Sequence, residues 1–227
     1  MVQVTQSDWL RFNRLIRRRS VLSNDEPVLK LEIRSNSQAG QESFVLNATN
    51  FKKSGYYVEI GAFHSKILSN TYILESVYEW SGVSFEISKN FTEEFKEVRL
   101  NPVFNVDATK CDYKQILNSA GAPKVIDYLQ VDIEPARNTF KALRRILETE
   151  YRFLVITFEH DLYDSTKNLL YKLFSYRILK KRGFRRVASN VCSDSYPFED
   201  WYIHRSVPTN FKTLPSNCSW REFFYEE

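Results

Sequence analysis

The sequence is poor in the residues that build special scaffolds. Only three cysteines occur in 227 residues (Cys111, Cys192, Cys218), with no CxxC pair. That argues against a disulfide framework and suits a reducing cytosol. Six glycines are present, but no G-x-G-x-x-G and no G-x-x-x-x-G-K-[ST], so a glycine-built pyrophosphate cradle is not expected. The apolar runs, such as 153–158, are far too short to span a bilayer. The N-terminus has no apolar signal core, so a cytoplasmic location is expected and the sequons at Asn47, Asn90 and Asn217 are set aside. No solenoid repeat and no low-complexity tract is present.

What is present is a globular composition, 43% hydrophobic and 26% charged, enough for one sizeable core. The net charge of +4 is too small to diagnose a nucleic-acid partner by itself. The cations are clustered, however. Arg11, Arg14, Arg17, Arg18 and Arg19 lie in the first 36 residues. Lys167, Lys172, Arg177, Lys180, Lys181, Arg182, Arg185 and Arg186 fall between 165 and 193, with no acid among them. Each cluster reads either as a solvated helix face or as a docking surface for an anion. Residues 1–36 read as a basic helical arm, capped by Ser7 and broken by Asn24-Asp-Glu-Pro27. A lid, a homodimer contact and a membrane-surface helix are all open for it. The main domain is expected over 37–227.

Along that domain, short β-rich runs recur, each ending near an acid: Glu59, Glu86, Asp107, Asp132 and Glu159. The steps between them are 27, 21, 25 and 27 residues, the length of a strand, a crossover helix and two loops. Helices are expected over 69–80, 90–100, 138–151 and 164–182, the last stopping at Gly183. Two consecutive strands, 184–192 and 199–205, then close the pattern. This is an α/β open sheet with an antiparallel addition at its end. In such sheets ligands bind beyond the carboxyl ends of the strands. Glu86, 25 residues past Gly61, suits a ribose, while Glu59 would repel a phosphate and favour a cation. An adenosine joined to a sulfonium meets both demands.

The ordered pieces Ser37-Gln-Ala-Gly-Gln-Glu-Ser-Phe44, Gly55-Tyr-Tyr-Val-Glu-Ile-Gly-Ala62, Leu68-Ser-Asn-Thr-Tyr-Ile-Leu-Glu75, Trp80-Ser-Gly-Val-Ser-Phe-Glu86, Ile126-Asp-Tyr-Leu-Gln-Val-Asp-Ile-Glu134, Val155-Ile-Thr-Phe-Glu-His160 and Glu199-Asp-Trp-Tyr-Ile-His204 resemble the FkbM family of class I S-adenosylmethionine-dependent methyltransferases. The resemblance implies a Rossmann-like sheet of seven strands in the order 3-2-1-4-5-7-6, strand 7 antiparallel, with helices on both faces. It implies S-adenosyl-L-methionine as cofactor and O-methylation of a carbohydrate-like or other small acceptor. By this resemblance Glu59, Gly61 and Ala62 form the turn under the methionine part, and Ser69 and Asn70 meet its carboxylate. Glu86 binds the ribose, and Asp107 and Ala108 flank the adenine. Asp132 and Glu134 lie beside the methyl, Glu159 and His160 face them, and Gln38 and Gln41 close over the ligand.

Two stretches depart from the family pattern. Phe63-His64-Ser65 replaces Asn-Asp-Gly, and Pro135-Ala-Arg137 replaces Gly-Ser-Glu. Losing the glycine removes easy access to positive φ, Pro135 removes a donor, and Arg137 reverses a charge. In-line methyl transfer needs alignment and a base. His160 is the expected base by residue type, with Asp132 as the alternative. Arg137 and the basic helix end 180–182 suit an anionic acceptor. No spacing compels a metal, and none is expected. A non-catalytic binding module and, more distantly, a nucleic-acid methyltransferase are the competing readings; no RNA-binding module is recognisable.

Overall fold

The computed structural model describes residues 29–31, 35–193, 196–209 and 211–226. Most of the expected basic arm lies outside these residues. Its described end is not helical: β1 (Leu29–Leu31) pairs in parallel with β9 (Phe224–Glu226). Leu29 is buried in the same core cluster as Phe44, Trp201 and Phe223.

The central sheet has seven strands: β2 (Tyr56–Ile60), β3 (Ser81–Glu86), β4 (Val103–Asn105), β5 (Val125–Val131), β6 (Arg152–Glu159), β7 (Phe184–Ser193) and β8 (Tyr196–His204). Their spatial order is β4-β3-β2-β5-β6-β8-β7, with β8 antiparallel to both neighbours. Leaving β1 out of the count, this is the expected 3-2-1-4-5-7-6.

Helices α1 (Gln41–Ala48), α2 (Tyr72–Ser76), α3 (Lys89–Val98), α4 (Tyr113–Ser119), α5 (Ala136–Leu147) and α6 (Leu169–Lys181) complete the domain. The sequence reading anticipated neither α1 nor α4. On one face of the sheet, Phe44, Val45 and Leu46 of α1 pack with Tyr57, Tyr128, Val155 and Trp201. On the other, α4, α5 and α6 cover Val58, Ile60, Leu129, Val131, Ile156 and Phe158. In α5 the buried Ala136, Thr139, Ala142, Leu143, Ile146 and Leu147 form the expected helical stripe.

Helix α6 inverts that pattern. It buries Lys172, Ser175 and Leu179, while Leu169, Leu170, Leu173 and Phe174 are exposed. The cause is Asp200 of β8, fully buried beneath it. Asp200 accepts hydrogen bonds from Lys172 Nζ (2.9 Å), Arg186 (3.0 Å), Tyr202 Oη (3.1 Å) and the Asn190 backbone N–H (2.9 Å). Burial alone would raise this carboxyl; His160, Lys172 and Arg186 outweigh it and hold it well below the carboxylate range. Two residues of the expected basic surface are thus counter-ions of the interior.

Candidate functional site

Sheet register decides which acids meet. Ser84, Glu59, Gln130, Thr157 and Trp201 form one row across five strands, so their side chains share a face. Two residues further, the same face carries Glu86, Gly61, Asp132, Glu159 and Glu199 at the carboxyl ends of the parallel strands. Glu159 and Glu199 are cross-strand partners. The sequence-predicted Glu59, Gly61, Glu86, Asp132 and Glu159 therefore do converge.

Gly61 has φ of +89°, and a Cβ there would lie 1.7 Å from the Asp132 carbonyl oxygen. Only glycine fits between the ends of β2 and β5. The following loop is pinned by Glu86, whose oxygens accept the backbone N–H groups of Phe63 (2.9 Å) and Ser88 (2.7 Å). Phe63, two residues before the position where the family pattern has glycine, carries a positive φ of +51°. Each Glu86 oxygen keeps a second lone pair for a ribose hydroxyl. The Phe63 ring meets His64 and Phe91 edge to face, at centroid distances of 4.4 and 4.6 Å. Ala62 is buried against Phe95 and Val103.

Beneath the turn lies a residue that sequence reading missed. Arg99 follows α3, with its side chain 1% exposed. Its guanidinium donates to Glu75 (2.8 Å), the Ser65 carbonyl (3.0 Å), Tyr57 Oη (3.0 Å), Thr71 Oγ1 (3.0 Å) and Ser69 Oγ (3.3 Å). It stacks on Phe95 at 4.6 Å. Glu59, one step away, accepts from Ser84 Oγ at 2.7 Å. Burial, opposed by Arg99, leaves Glu59 at about 7. Arg99 falls at the end of the helix expected over 90–100, and no local signal marks it. Ser69, expected on the cofactor, instead starts α2: its Oγ accepts the N–H groups of Thr71 (3.3 Å) and Tyr72 (3.1 Å).

Asp132 is partly exposed at the mouth, and Glu159 lies beside it. Burial raises both above the ordinary range; the hydrogen bond with Glu159 holds Asp132 back, whereas Asp132 and Asp161 push Glu159 further up. Glu134 is exposed beyond them. Arg137 is exposed in the first turn of α5. Pro135 caps that helix, where a missing N–H costs nothing.

His160 departs from expectation. Successive strand residues face opposite ways, so with Glu159 at the mouth His160 turns under α6. It is fully buried. Its Nδ1 accepts the Leu162 N–H at 3.3 Å, and its Nε2 lies 3.4 Å from Asp200. Both ring nitrogens are engaged inside the protein, away from the mouth. Asp107 is likewise committed to its own turn, accepting from Thr109 N–H and Oγ1 and pairing with Lys110; these contacts lower it to about 2. Ala108 is buried beside it.

Residues 35–41 cross this end of the sheet. Ser37 bridges to Leu68, and the fully buried Glu42 accepts from Ser35 Oγ (3.1 Å), the Ser37 N–H (3.0 Å), the Asn36 N–H and Ser37 Oγ. Gln38 is exposed, whereas Gln41 is buried and accepts from the Ala39 N–H.

Glu199 accepts from Trp201 Nε1 at 2.6 Å. Burial raises it to about 8, despite the bonds from Trp201 and Gln41. Glu59 and Glu199 therefore hold protons in the folded chain that the unfolded chain releases near pH 4.5. That stabilisation is present below about pH 4.5 and is lost as pH rises through about 7 to 8. The melting midpoint is expected to fall by about 5–10 °C between about pH 6 and pH 9. Glu199→Gln should flatten part of that slope and raise the midpoint on the alkaline side. An unchanged pH profile in that variant would show that Glu199 is not protonated in the fold.

Among the described residues, three buried side-chain oxygens at this end have no donor: Asn70 Oδ1, Gln130 Oε1 and Asp161 Oδ1. All are acceptors, and each costs about 1–3 kcal/mol when unmatched. A ligand rich in N–H and O–H groups offsets that cost, and with the Gly61 turn and Glu86 this donor-poor lining fits an adenosyl amino acid. Among the described residues, no group of His, Cys, Asp and Glu is arranged to hold a metal ion. No helix of the described residues is long and apolar enough to cross a membrane.

No protein-family model and no curated protein matches the sequence. Solved structures do match. An O-methyltransferase from Bacillus cereus in complex with SAH is 11% identical, with 90% of this chain and 94% of that one covered and a TM-score of 0.52. A human methyltransferase 10 domain containing protein is 10% identical over 77% and 85% of the two chains, TM-score 0.52. The METTL16 methyltransferase domain is 12% identical over 71% of this chain, TM-score 0.53. The chain spans 64% of that domain, and 56% and 60% of two MtNAS structures, both at a TM-score of 0.43. The likenesses with TM-scores above 0.5 show the fold, a Rossmann-like open α/β sheet.

Proposed function

We propose that the protein is an S-adenosylmethionine-dependent methyltransferase acting on a hydroxyl of a neutral, polyol-like acceptor, of the kind carbohydrates present. The observation that carries this reading is the Gly61 turn packed on the Asp132 carbonyl, with Glu86 one strand away. The similar O-methyltransferase fold with bound SAH supports it, as does the FkbM-like order of motifs. When bound, the cofactor supplies an electrophilic methyl on a sulfonium. Gly61 admits its methionine part, Glu86 accepts ribose hydroxyls, and Asn70 and Gln130 accept from its donors. The carboxylates around the mouth favour the sulfonium charge by Coulomb attraction.

The same carboxylates set the acceptor. Asp132 and Glu134 repel an anion and accept hydroxyl hydrogens, which weighs against the anionic acceptor suggested by Arg137. Asp132, paired with Glu159, takes the place of His160 as base, because it is the partly exposed member at the mouth. A raised carboxylate close to neutrality is suited to receive a hydroxyl proton.

The test has two parts. SAH should bind in calorimetry, with ATP and NAD silent. Methyl transfer from labelled S-adenosylmethionine to a panel of sugars and polyols should then fall by about 10²–10⁴ in Asp132→Asn. His160→Gln should retain turnover while lowering the melting midpoint. Loss of turnover in His160→Gln without loss of stability would restore His160 as the base. SAH binding without transfer to any acceptor would favour the binding-module reading.

A further inference from the structure

At the outer edge of the sheet, away from the carboxyl-end mouth, lies a cavity of about 400 Å³ lined by Lys180 of α6, Arg185, Arg186 and Ser189 of β7, and Arg205 beyond β8, with Thr213 across from them. Among the described residues four cations line it and no acid does. Arg186 is already committed to Asp200. The other two arginines are held by backbone carbonyls: Arg185 donates to Phe211 O at 2.6 Å and Arg205 Nε to Gly183 O at 3.3 Å. Each contact uses one donor of five and leaves the rest of the guanidinium fork available.

Like charges gathered in one concavity repel one another. A solvated face spreads them, and nothing in solubility requires their guanidiniums to be fixed. Anchored forks around a cavity of this size are instead arranged to receive a compact anion with several oxygens. The hydroxyls of Ser189 and Thr213 add neutral donors. The cations line a pocket bounded by α6 on one side and by Arg205, Thr213 and Ser216 on the other. That shape matches a short oligophosphate better than an extended polynucleotide backbone, which needs a track.

We propose that this cavity is a second ligand site, separate from the methyltransferase mouth, that binds a diphosphate or triphosphate group through Lys180, Arg185 and Arg205.

Calorimetric titration of the full chain with inorganic pyrophosphate, at about 0.15 M salt, tests it. One saturable site is expected. Lys180→Ala, on an exposed helix position, should weaken it several-fold without moving the melting midpoint. Arg185→Gln and Arg205→Gln should each weaken it about tenfold, and the pair about a hundredfold, with SAH binding unchanged in all three variants. Absence of saturable binding, or equal affinity in the double variant, would overturn the proposal. So would tighter binding of a single-stranded oligonucleotide with a log–log salt slope steeper than about −3, which would assign these cations to a nucleic-acid backbone.

Discussion

Gly61→Ala is expected to abolish SAH binding, with a loss of at least about a hundredfold in affinity. The added Cβ would stand 1.7 Å from the Asp132 carbonyl oxygen, a backbone atom inside the sheet with no rotamer to escape into, at φ of +89°. Strands β2 and β5 would have to part at the point where the ligand is proposed to enter. Gly121→Ala is the control: its φ is +66° and a Cβ there meets nothing within 4 Å. It should cost about 1 kcal/mol from backbone strain alone and leave SAH binding intact. Wild-type SAH affinity in Gly61→Ala would remove the turn from the cofactor site. Asn70→Ala gives a readout that folding cannot obscure. It deletes an acceptor without a partner among the described residues, so the melting midpoint should hold or rise while SAH affinity drops about tenfold.

Arg99→Met should be the most destabilising single substitution in the 57–101 region. It leaves Glu75 and the nearby Glu59 without their buried cation and strips donors from Tyr57, Thr71 and the Ser65 carbonyl. Removing one partner of a buried ion pair costs about 3–5 kcal/mol. For a chain of this size that is a fall of roughly 6–20 °C in melting midpoint. Arg99→Lys should rescue only part of it, because an ammonium cannot reach five acceptors arranged around a planar fork. Since Arg99 holds the Ser65–Ser69 loop, SAH affinity should fall with stability. A midpoint within 2 °C of wild type, about one kcal/mol or less, would show that the network carries little stability.

The sheet was legible because its signal is local and repeated. Apolar runs at regular spacing, each closed by an acid, need no tertiary information to be counted, and connection rules then leave few topologies. Helices α1 and α4 were missed for opposite reasons. Gln41-Glu-Ser begins α1 with polar residues that the fold buries, as Glu42 gathers the N–H and hydroxyl groups of residues 35–37. Helix α4 is only seven residues long, too short for its periodicity to stand out between two strands.

The candidate site was half legible. Residue type and strand end sufficed to place Glu86, Gly61 and Asp132 at one end of the sheet, because position at a strand terminus largely fixes what a side chain can reach. They did not suffice for His160, which residue type favoured and the pleat sent to the other face. The alternation that separates Glu159 from His160 was present in the sequence; what was absent was Asp200, forty residues on, which receives the histidine and draws Lys172 inward at the expense of exposing Leu169, Leu170, Leu173 and Phe174.

By itself, then, the sequence determined the α/β class and the acids at the strand ends, since these follow from hydrophobic period and chain connectivity, while the strand order came through the family resemblance of its motifs. Only the tertiary structure decided which charges are interior and which face a ligand. That choice depends on pairings between distant residues, Arg99 with Glu75 and Lys172 with Asp200. Burying a charge is tolerable only where an opposite charge arrives in the same place, and no local pattern encodes that arrival.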